Sequence, residues 1–260
     1  MAIHPTAIID SRAKVHPTTE IGPFCVIKGK VTLGPCNKLE SHVSIGTEEG
    51  EVIIGEGNHF WQGAVLGGAP QDLKYKGEPT KLVIGNHNVI REYVTVNLGT
   101  VTGGGVTTIG DHCLLMAYVH VAHDCHFHNH VVVANSTQFA GHVIVEDHVH
   151  FGGVCAVTQF CKIGKFAFIG GDSVINKDIL PFSIAQGRWA KMKAANRIGL
   201  ERKGFQKEEI ENIYKALRIL LKGESTTSAA VERIQNECVQ DEHILYLLKF
   251  IEESERGLAK

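Results

Sequence analysis

The sequence holds no long apolar run, no surplus of charge, no paired-cysteine motif and only 3 methionines, and each scarcity closes off a class of protein. No uninterrupted apolar stretch approaches the roughly 20 residues that span a bilayer. Met1-Ala2-Ile3-His4-Pro5 has no basic segment leading into an apolar one, so the chain reads as cytoplasmic. With 26 basic and 28 acidic residues the formal charge is -2, which removes any global attraction to nucleic acid and leaves only local basic patches open. Seven cysteines, an odd number without CxxC spacing, fit reduced thiols rather than a disulfide framework. Few methionines beside 7 prolines and 28 glycines favour turn-rich β structure. What the chain does have, in 260 residues of which 43% are hydrophobic, is enough apolar material for a globular core.

That material is periodic. Aliphatic residues recur every six positions at Ile3, Ile9, Val15, Ile21, Ile27, Leu33, Leu39 and Ile45. The register slips by three, resumes at Ile54, Phe60 and Leu66, and returns at Ile84, Ile90 and Val96. The longest run then goes from Ile109 through Leu115, Val121, Phe127, Val133, Phe139, Val145, Phe151, Val157, Ile163 and Ile169 to Ile175. Four places after each of these sits a small or β-branched residue, among them Cys113, Cys125, Cys155 and Cys161. Glycine often follows the aliphatic directly, as at Gly22, Gly34, Gly85, Gly110 and Gly164, where it is expected to supply the backbone angles of a bend.

A hexad is one short strand and one turn, with the large side chain inward and the small one beside the corner. Three hexads close a triangular coil of eighteen residues, and coils stack at about 4.8 Å. The expected fold is a parallel β-helix over residues 1–187, with inserted loops near 67–82 and 97–108. Asp72 and Lys74 make the first loop a functional candidate.

From 188 to 260 the pattern becomes helical. Ile210, Ile213, Tyr214, Leu217, Leu220 and Leu221 predict one helix ended by Gly223, Ser228–Glu237 a second, and Ile244, Leu245, Leu248 and Ile251 a third. The entry to this helical domain carries Arg188, Lys191, Lys193, Arg197, Arg202 and Lys203, a patch suited to phosphate or an acidic partner.

Eight of the fifteen histidines lie between His120 and His150, a density that raises a metal site as one candidate. His126, His128 and His130 are spaced like zinc ligands, which would suit a carbonic-anhydrase-like hydratase. However, they lie where alternate side chains point outward, and no cysteine pair supports them. General-base chemistry asks for less: His123-Asp124 offers an imidazole and a carboxylate to orient it. Eighteen residues per coil stack His142 on Asp124 and Gly141 on His123, with Gln159 one coil further. The Gly141 amide could then bind an oxyanion, and His120 joins the same cluster.

Several stretches carry a specific resemblance: His123-Asp124-Cys125, Ala140-Gly141-His142, Pro70-Gln71-Asp72-Leu73-Lys74-Tyr75, Gln159-Phe160, Ala185-Gln186-Gly187, Gly199-Leu200 with Arg202, Gly204-Phe205 and Arg256-Gly257. Over its whole length the chain resembles the acyl-[acyl-carrier-protein]--UDP-N-acetylglucosamine O-acyltransferases of lipid A biosynthesis, hexapeptide-repeat enzymes whose β-helix is left-handed. The resemblance implies a homotrimer with sites between adjacent β-helices. It also implies transfer of a 3-hydroxyacyl group from acyl carrier protein to the sugar 3-hydroxyl of a UDP-sugar, with no metal and no cofactor. His123 would be the base, Asp124 its orienting acid and Gly141 the oxyanion donor. Asp72, Lys74, His120, His142 and Gln159 would line the substrate site, Asn196 and Arg202 would hold the nucleotide, and Gly171 would leave room for a longer acyl chain. The chain departs from the family at Thr158, Leu98, Ile198 and Trp189. A close alternative is N-acylation of a 3-amino sugar nucleotide by the same base, and a further one is a scaffold that only trimerises.

Overall fold

A hexad has room for two residues of strand and a corner, and the computed structural model, which describes residues 2–222 and 226–260, is built from that unit. Leu114–Leu115, His120–Val121 and His126–Phe127 follow one another, each in a different sheet. Strands pair in parallel with the coils before and after: Leu115 with Val133, Val121 with Phe139 and Phe127 with Val145, each eighteen residues on. The three faces are sheets of eleven, nine and eight strands, entered in that order within each coil. We call the edge between the nine- and eight-stranded faces edge I, that between the eight- and eleven-stranded faces edge II, and the remaining one edge III.

The repeating aliphatics point inward. Leu115, Val121, Val133, Ile163 and Ile175 are fully buried, and Phe127, Phe139 and Phe151 meet edge-on at 4.8 and 4.9 Å. Each such side chain removed from water contributes about 1.5–3 kcal/mol. The small residues four places on, including Cys113, Cys125, Cys155 and Cys161, fill the corners and are equally buried.

The corners differ from expectation in one respect. Left-handed backbone falls three places after the aliphatic, on Tyr118, Asp124, His130, Ser136, His142, His148, Val154, Phe160, Phe166 and Asp172. The glycines directly after the aliphatic serve another purpose, close approach between coils. A Cβ on Gly22 would lie 2.9 Å from the Glu40 carbonyl carbon, and one on Gly34 would lie 2.5 Å from the Gly55 oxygen. A non-glycine residue in the left-handed region costs on the order of 1 kcal/mol, and stacking along the edges offsets part of it. On edge II, His112, His130, His148 and Phe166 form a ladder with ring centroids 5.0, 4.6 and 4.8 Å apart.

Behind edge II runs a second, buried ladder. Asn58 donates through Nδ2 to Asn37 Oδ1 and to the Gly85 carbonyl, both at 2.9 Å, while its own Oδ1 accepts from Asn88 N and Nδ2 at 2.9 Å. Asn58→Ala strips these partners inside the core and is expected to lower the unfolding free energy by about 2–4 kcal/mol. A denaturant titration showing a loss under about 0.5 kcal/mol would contradict this.

Every long departure from the six-residue step leaves at edge I. The three-residue slip lies between Ser44–Ile45 and Glu51–Ile54, the first loop between Val65–Gly68 and Lys81–Ile84, and the second between Thr95–Asn97 and Val106–Ile109. Each time the chain is passing from the nine-stranded to the eight-stranded face.

Beyond the hexads, Lys191–Ala195 pairs antiparallel with Ser183–Gln186 and extends the eleven-stranded sheet. Among the described residues four helices follow: α1 (Arg197–Arg202), α2 (Lys207–Lys222), α3 (Thr227–Glu237) and α4 (Glu242–Glu252). The expected stop at Gly223 lies outside the described residues. In α4 the buried face is Ile244, Leu247, Phe250 and Ile251, whereas Leu245, expected inward, is 54% exposed. Leu180, Phe182 and Met192 join the helices in a second core. Glu146 with Tyr246, Lys162 with Glu253, and Asp178 with Ser254 tie the helices to the last coils.

Candidate active site on edge I

Asp124 takes the left-handed corner position (φ 59°), where a short polar side chain is tolerated, and its carboxylate is almost wholly buried. A buried carboxylate needs donors. Oδ1 accepts the Thr100 N–H at 2.7 Å, and Oδ2 accepts the Thr100 hydroxyl at 2.6 Å and His123 Nδ1 at 2.7 Å. The Asp124 N–H donates to Thr107 Oγ1 at 2.8 Å. Thr100 belongs to the second loop, which leaves edge I one coil below Asp124 and folds back over it. Gly103 lies against the carboxylate so closely that a Cβ there would fall 2.1 Å from Asp124 Cγ.

With Nδ1 tied to Asp124, the partly exposed His123 ring leaves Nε2 without a hydrogen-bond partner among the described residues. One coil up, the His142 N–H donates to the His123 carbonyl at 3.1 Å, which is the eighteen-residue stacking read from the sequence. Gly141 faces the imidazole: a Cβ would sit 2.6 Å from Cε1 and 2.9 Å from Nε2. The Gly141 N–H donates to no acceptor among the described residues. His142 meets His123 edge-on at 5.2 Å, stacks on Phe160 at 4.4 Å and places Nε2 3.7 Å from Asp124 Oδ2. Burial, opposed by Asp124, pushes His142 below the ordinary histidine range, and burial does the same to His120, whose Nδ1 lies 2.7 Å from Thr95 Oγ1. Asp72 is near enough to His142 to act on its charge, while Lys74 is exposed. Gln159 is exposed one coil above Gly141, where the Phe160 N–H bonds the Gly141 carbonyl at 3.2 Å.

The metal reading finds no ligand set in His126, His128 and His130. His126 Nδ1 pairs with Thr108 Oγ1 at 3.0 Å, His128 Nδ1 lies 3.6 Å from Asp147, and His130 is stacked in the edge II ladder. Among the described residues the ligand-type atoms that converge, within 4.8 Å, are those of His123, Asp124 and His142. Within that trio the Asp124 carboxylate already accepts from the Thr100 N–H, the Thr100 hydroxyl and His123 Nδ1.

The remaining expected residues stand on other edges. Asn196 caps α1, its Oδ1 accepting the Gly199 N–H at 3.2 Å and its Nδ2 donating to the Phe166 carbonyl at 2.9 Å. With Arg202, Lys203, His148, His150 and Phe168 it lines a cavity of about 380 Å³ on edge II. Gly171 is exposed on edge III, where a Cβ would meet only the Gly153 backbone, at 3.3 Å. Sequence reasoning missed Thr100 and Gly103. The available signal was the threonine- and glycine-rich insertion one coil below a carboxylate that packing would bury.

Burial and the nearby Lys203 push His148 down to about 4. The unfolded chain therefore binds the extra proton between about pH 6.5 and 4. This histidine's contribution to stability is complete above that window and is lost as the pH falls through it. His148→Phe, which extends the ladder from Phe166, is expected to flatten the decline of Tm between pH 6.5 and 4. Identical slopes in the two proteins would contradict the assignment.

Residues 178–259 match the family model described as Udp N-acetylglucosamine O-acyltransferase, domain 2. The acyl-[acyl-carrier-protein]--UDP-N-acetylglucosamine O-acyltransferases of Myxococcus xanthus and Thermodesulfovibrio yellowstonii are each 43% identical over 258 residues, covering 99% of this chain and 99% of the relative. Among solved structures, LpxA from Acinetobacter baumannii superposes with a TM-score of 0.96 at 41% identity, covering 100% of both chains. LpxA from Bacteroides fragilis gives 0.95 at 41% identity, over 99% of this chain and 100% of that one. The architecture is thus a left-handed parallel β-helix followed by a small helical region. Full-length identity above 40% together with this fold places the chain in the acyl-[acyl-carrier-protein]--UDP-N-acetylglucosamine O-acyltransferase family.

Proposed function

We propose that the chain transfers a 3-hydroxyacyl group from acyl carrier protein to the 3-hydroxyl of UDP-N-acetylglucosamine, the first step of lipid A biosynthesis, with His123 as general base. The observation that carries this reading is the His123–Asp124 pair at 2.7 Å, its carboxylate held by Thr100 and its ring faced by Gly141. Nε2 takes the proton of the sugar hydroxyl as the oxygen attacks the thioester carbonyl. Asp124 fixes the tautomer through Nδ1–H and stabilises the imidazolium that forms. The tetrahedral oxyanion accepts from the Gly141 N–H. Its collapse breaks the carbon–sulfur bond, and His123 returns the proton to the departing thiolate. His120 and His142, kept neutral by burial, together with Asp72, Lys74 and Gln159 orient the sugar and thioester.

We also propose a homotrimer, a reading that the placement of these groups supports. Asn196 and Arg202, our nucleotide ligands, stand on edge II, the far side of the eight-stranded face from His123. One copy therefore supplies the base and its neighbour supplies the nucleotide cavity. Leu73, wholly exposed in the loop that carries Asp72, supports a second copy there. Gly171 on edge III leaves the acyl chain free to run across the nine-stranded face. We place the enzyme in the cytoplasm, in keeping with seven free cysteines. Among the described residues no helix is long and apolar enough to cross a membrane.

The test is product formation by the purified protein from a series of 3-hydroxyacyl carrier thioesters with UDP-N-acetylglucosamine and its 3-amino analogue. Turnover of the 3-hydroxyl sugar is expected. Turnover confined to the amine would transfer the reading to N-acylation.

A further inference from the structure

The Asp124 carboxylate lies between two imidazoles. Its Oδ2 accepts from His123 Nδ1 at 2.7 Å, and His142 Nε2 stands 3.7 Å from the same oxygen. The Cβ–Cγ torsion of an aspartate is soft, so a modest turn of the carboxylate would take it from one ring to the other. Thr100 opposes that turn by holding both oxygens, Oδ1 through its N–H at 2.7 Å and Oδ2 through its hydroxyl at 2.6 Å. The hydroxyl proton has one direction to point: Thr100 Oγ1 accepts the Gly103 N–H at 3.2 Å, and a carboxylate offers only acceptors.

Thr100 is itself anchored. The Gly105 N–H returns to the Thr100 carbonyl at 2.8 Å and the Gly99 N–H bonds the Lys81 carbonyl at 3.0 Å. Leu98, one of the chain's departures from the family, is fully buried against Gly50, where a Cβ would fall 2.3 Å from Leu98 Cδ1. The other titratable groups that face the two rings are His120, His126 and Asp72, none of which bonds Asp124 among the described residues.

We propose that Thr100 is the positioning residue that assigns the carboxylate to His123, and that without its hydroxyl Asp124 turns towards His142 and leaves the base unoriented. This deepens the general-base reading above and rests on it. Burial keeps His142 neutral only while Asp124 is engaged elsewhere; a carboxylate turned to it favours the imidazolium, and His123 then loses the partner that fixes its tautomer. Raising the pH discharges His142 and weakens that hold.

Thr100→Val removes the hydroxyl and keeps the N–H. Its kcat is expected to fall about tenfold at roughly pH 6.5, the size of one hydrogen bond to a charged group, with the KM for the sugar nucleotide unchanged. The deficit narrows towards about pH 8.5, where an imidazole carries no charge. Thr100→Ser restores the rate, and Thr100→Ala, which puts no methyl against the carboxylate, reproduces the pH-dependent deficit. A loss of the same size at every pH, or no loss, overturns the proposal. In a His142→Gln background no second imidazole competes, so the penalty of Thr100→Val largely disappears; equal penalties in the two backgrounds also overturn it. Imidazole NMR of histidine-labelled protein needs no turnover. His142 is expected to titrate about one pH unit higher in Thr100→Val than in wild type, and to return in Thr100→Ser. That shift in a protein without acyl transfer upholds the role of Thr100 and overturns the function. An unmoved His142 beside normal acyl transfer overturns the role of Thr100 alone.

Discussion

His123→Ala is expected to lower kcat by roughly 10³-fold while leaving Tm and assembly intact, because a positioned general base contributes about 10²–10⁴-fold. The side chain stands on the outer side of a corner, 14% exposed, and the coil is held by backbone pairing on both faces that flank it. Removing it takes one of three donors from Asp124 and leaves both Thr100 bonds in place. Steady-state kinetics beside a thermal melt check both halves of this statement. Turnover near the wild-type rate would remove His123 from the mechanism.

Gly141→Ala is the second large effect. The added carbon keeps the N–H, so the oxyanion donor survives, but it would lie 2.6 Å from Cε1 and 2.9 Å from Nε2 of a ring already pinned to Asp124. The imidazole must tilt, and a base displaced by about 1 Å loses on the order of 10²-fold in rate. Since the loss acts through His123, it should nearly vanish when Gly141→Ala is added to His123→Ala, where the ring is gone. Kinetics of the two single variants and the double variant give the answer. Equal losses in both backgrounds would show that Gly141 acts on something other than the base.

Much of this site was legible because a hexad repeat converts sequence distance into spatial position. Once the step of six is counted, Gly141 and His142 fall beside His123 and Asp124 without any coordinates, and the backbone bond from His142 to His123 is the result. The same counting separates His126, His128 and His130, since strand, corner and left-handed positions face different neighbours. Less legible was what the insertions do, because a loop has no period. Thr100 and Gly103 reach Asp124 through a fold-back that spacing cannot express. The fact that all three interruptions leave at one edge, the edge that carries His123 and Asp124, was nevertheless in the register. The role of glycine was misread for a physical reason: at Gly22 and Gly34 the constraint is the next coil's backbone, a contact eighteen or more residues away, rather than local φ. The inward face of α4 shifted to Leu247 and Phe250 because the helices pack on Leu180 and Phe182 at the end of the β-helix, a surface that helical periodicity alone does not specify.

In the proposed trimer one catalytic centre is assembled from edge I of one copy and edge II of the next. Reassembling a mixture of His123→Ala and Arg202→Ala protein tests it most directly, since each variant alone lacks one half of every site. Random mixed trimers are expected to regain about a quarter of the wild-type sites, and so a comparable share of its activity. Activity no greater than the sum of the separate variants would contradict a shared site and return Asn196 and Arg202 to some other task.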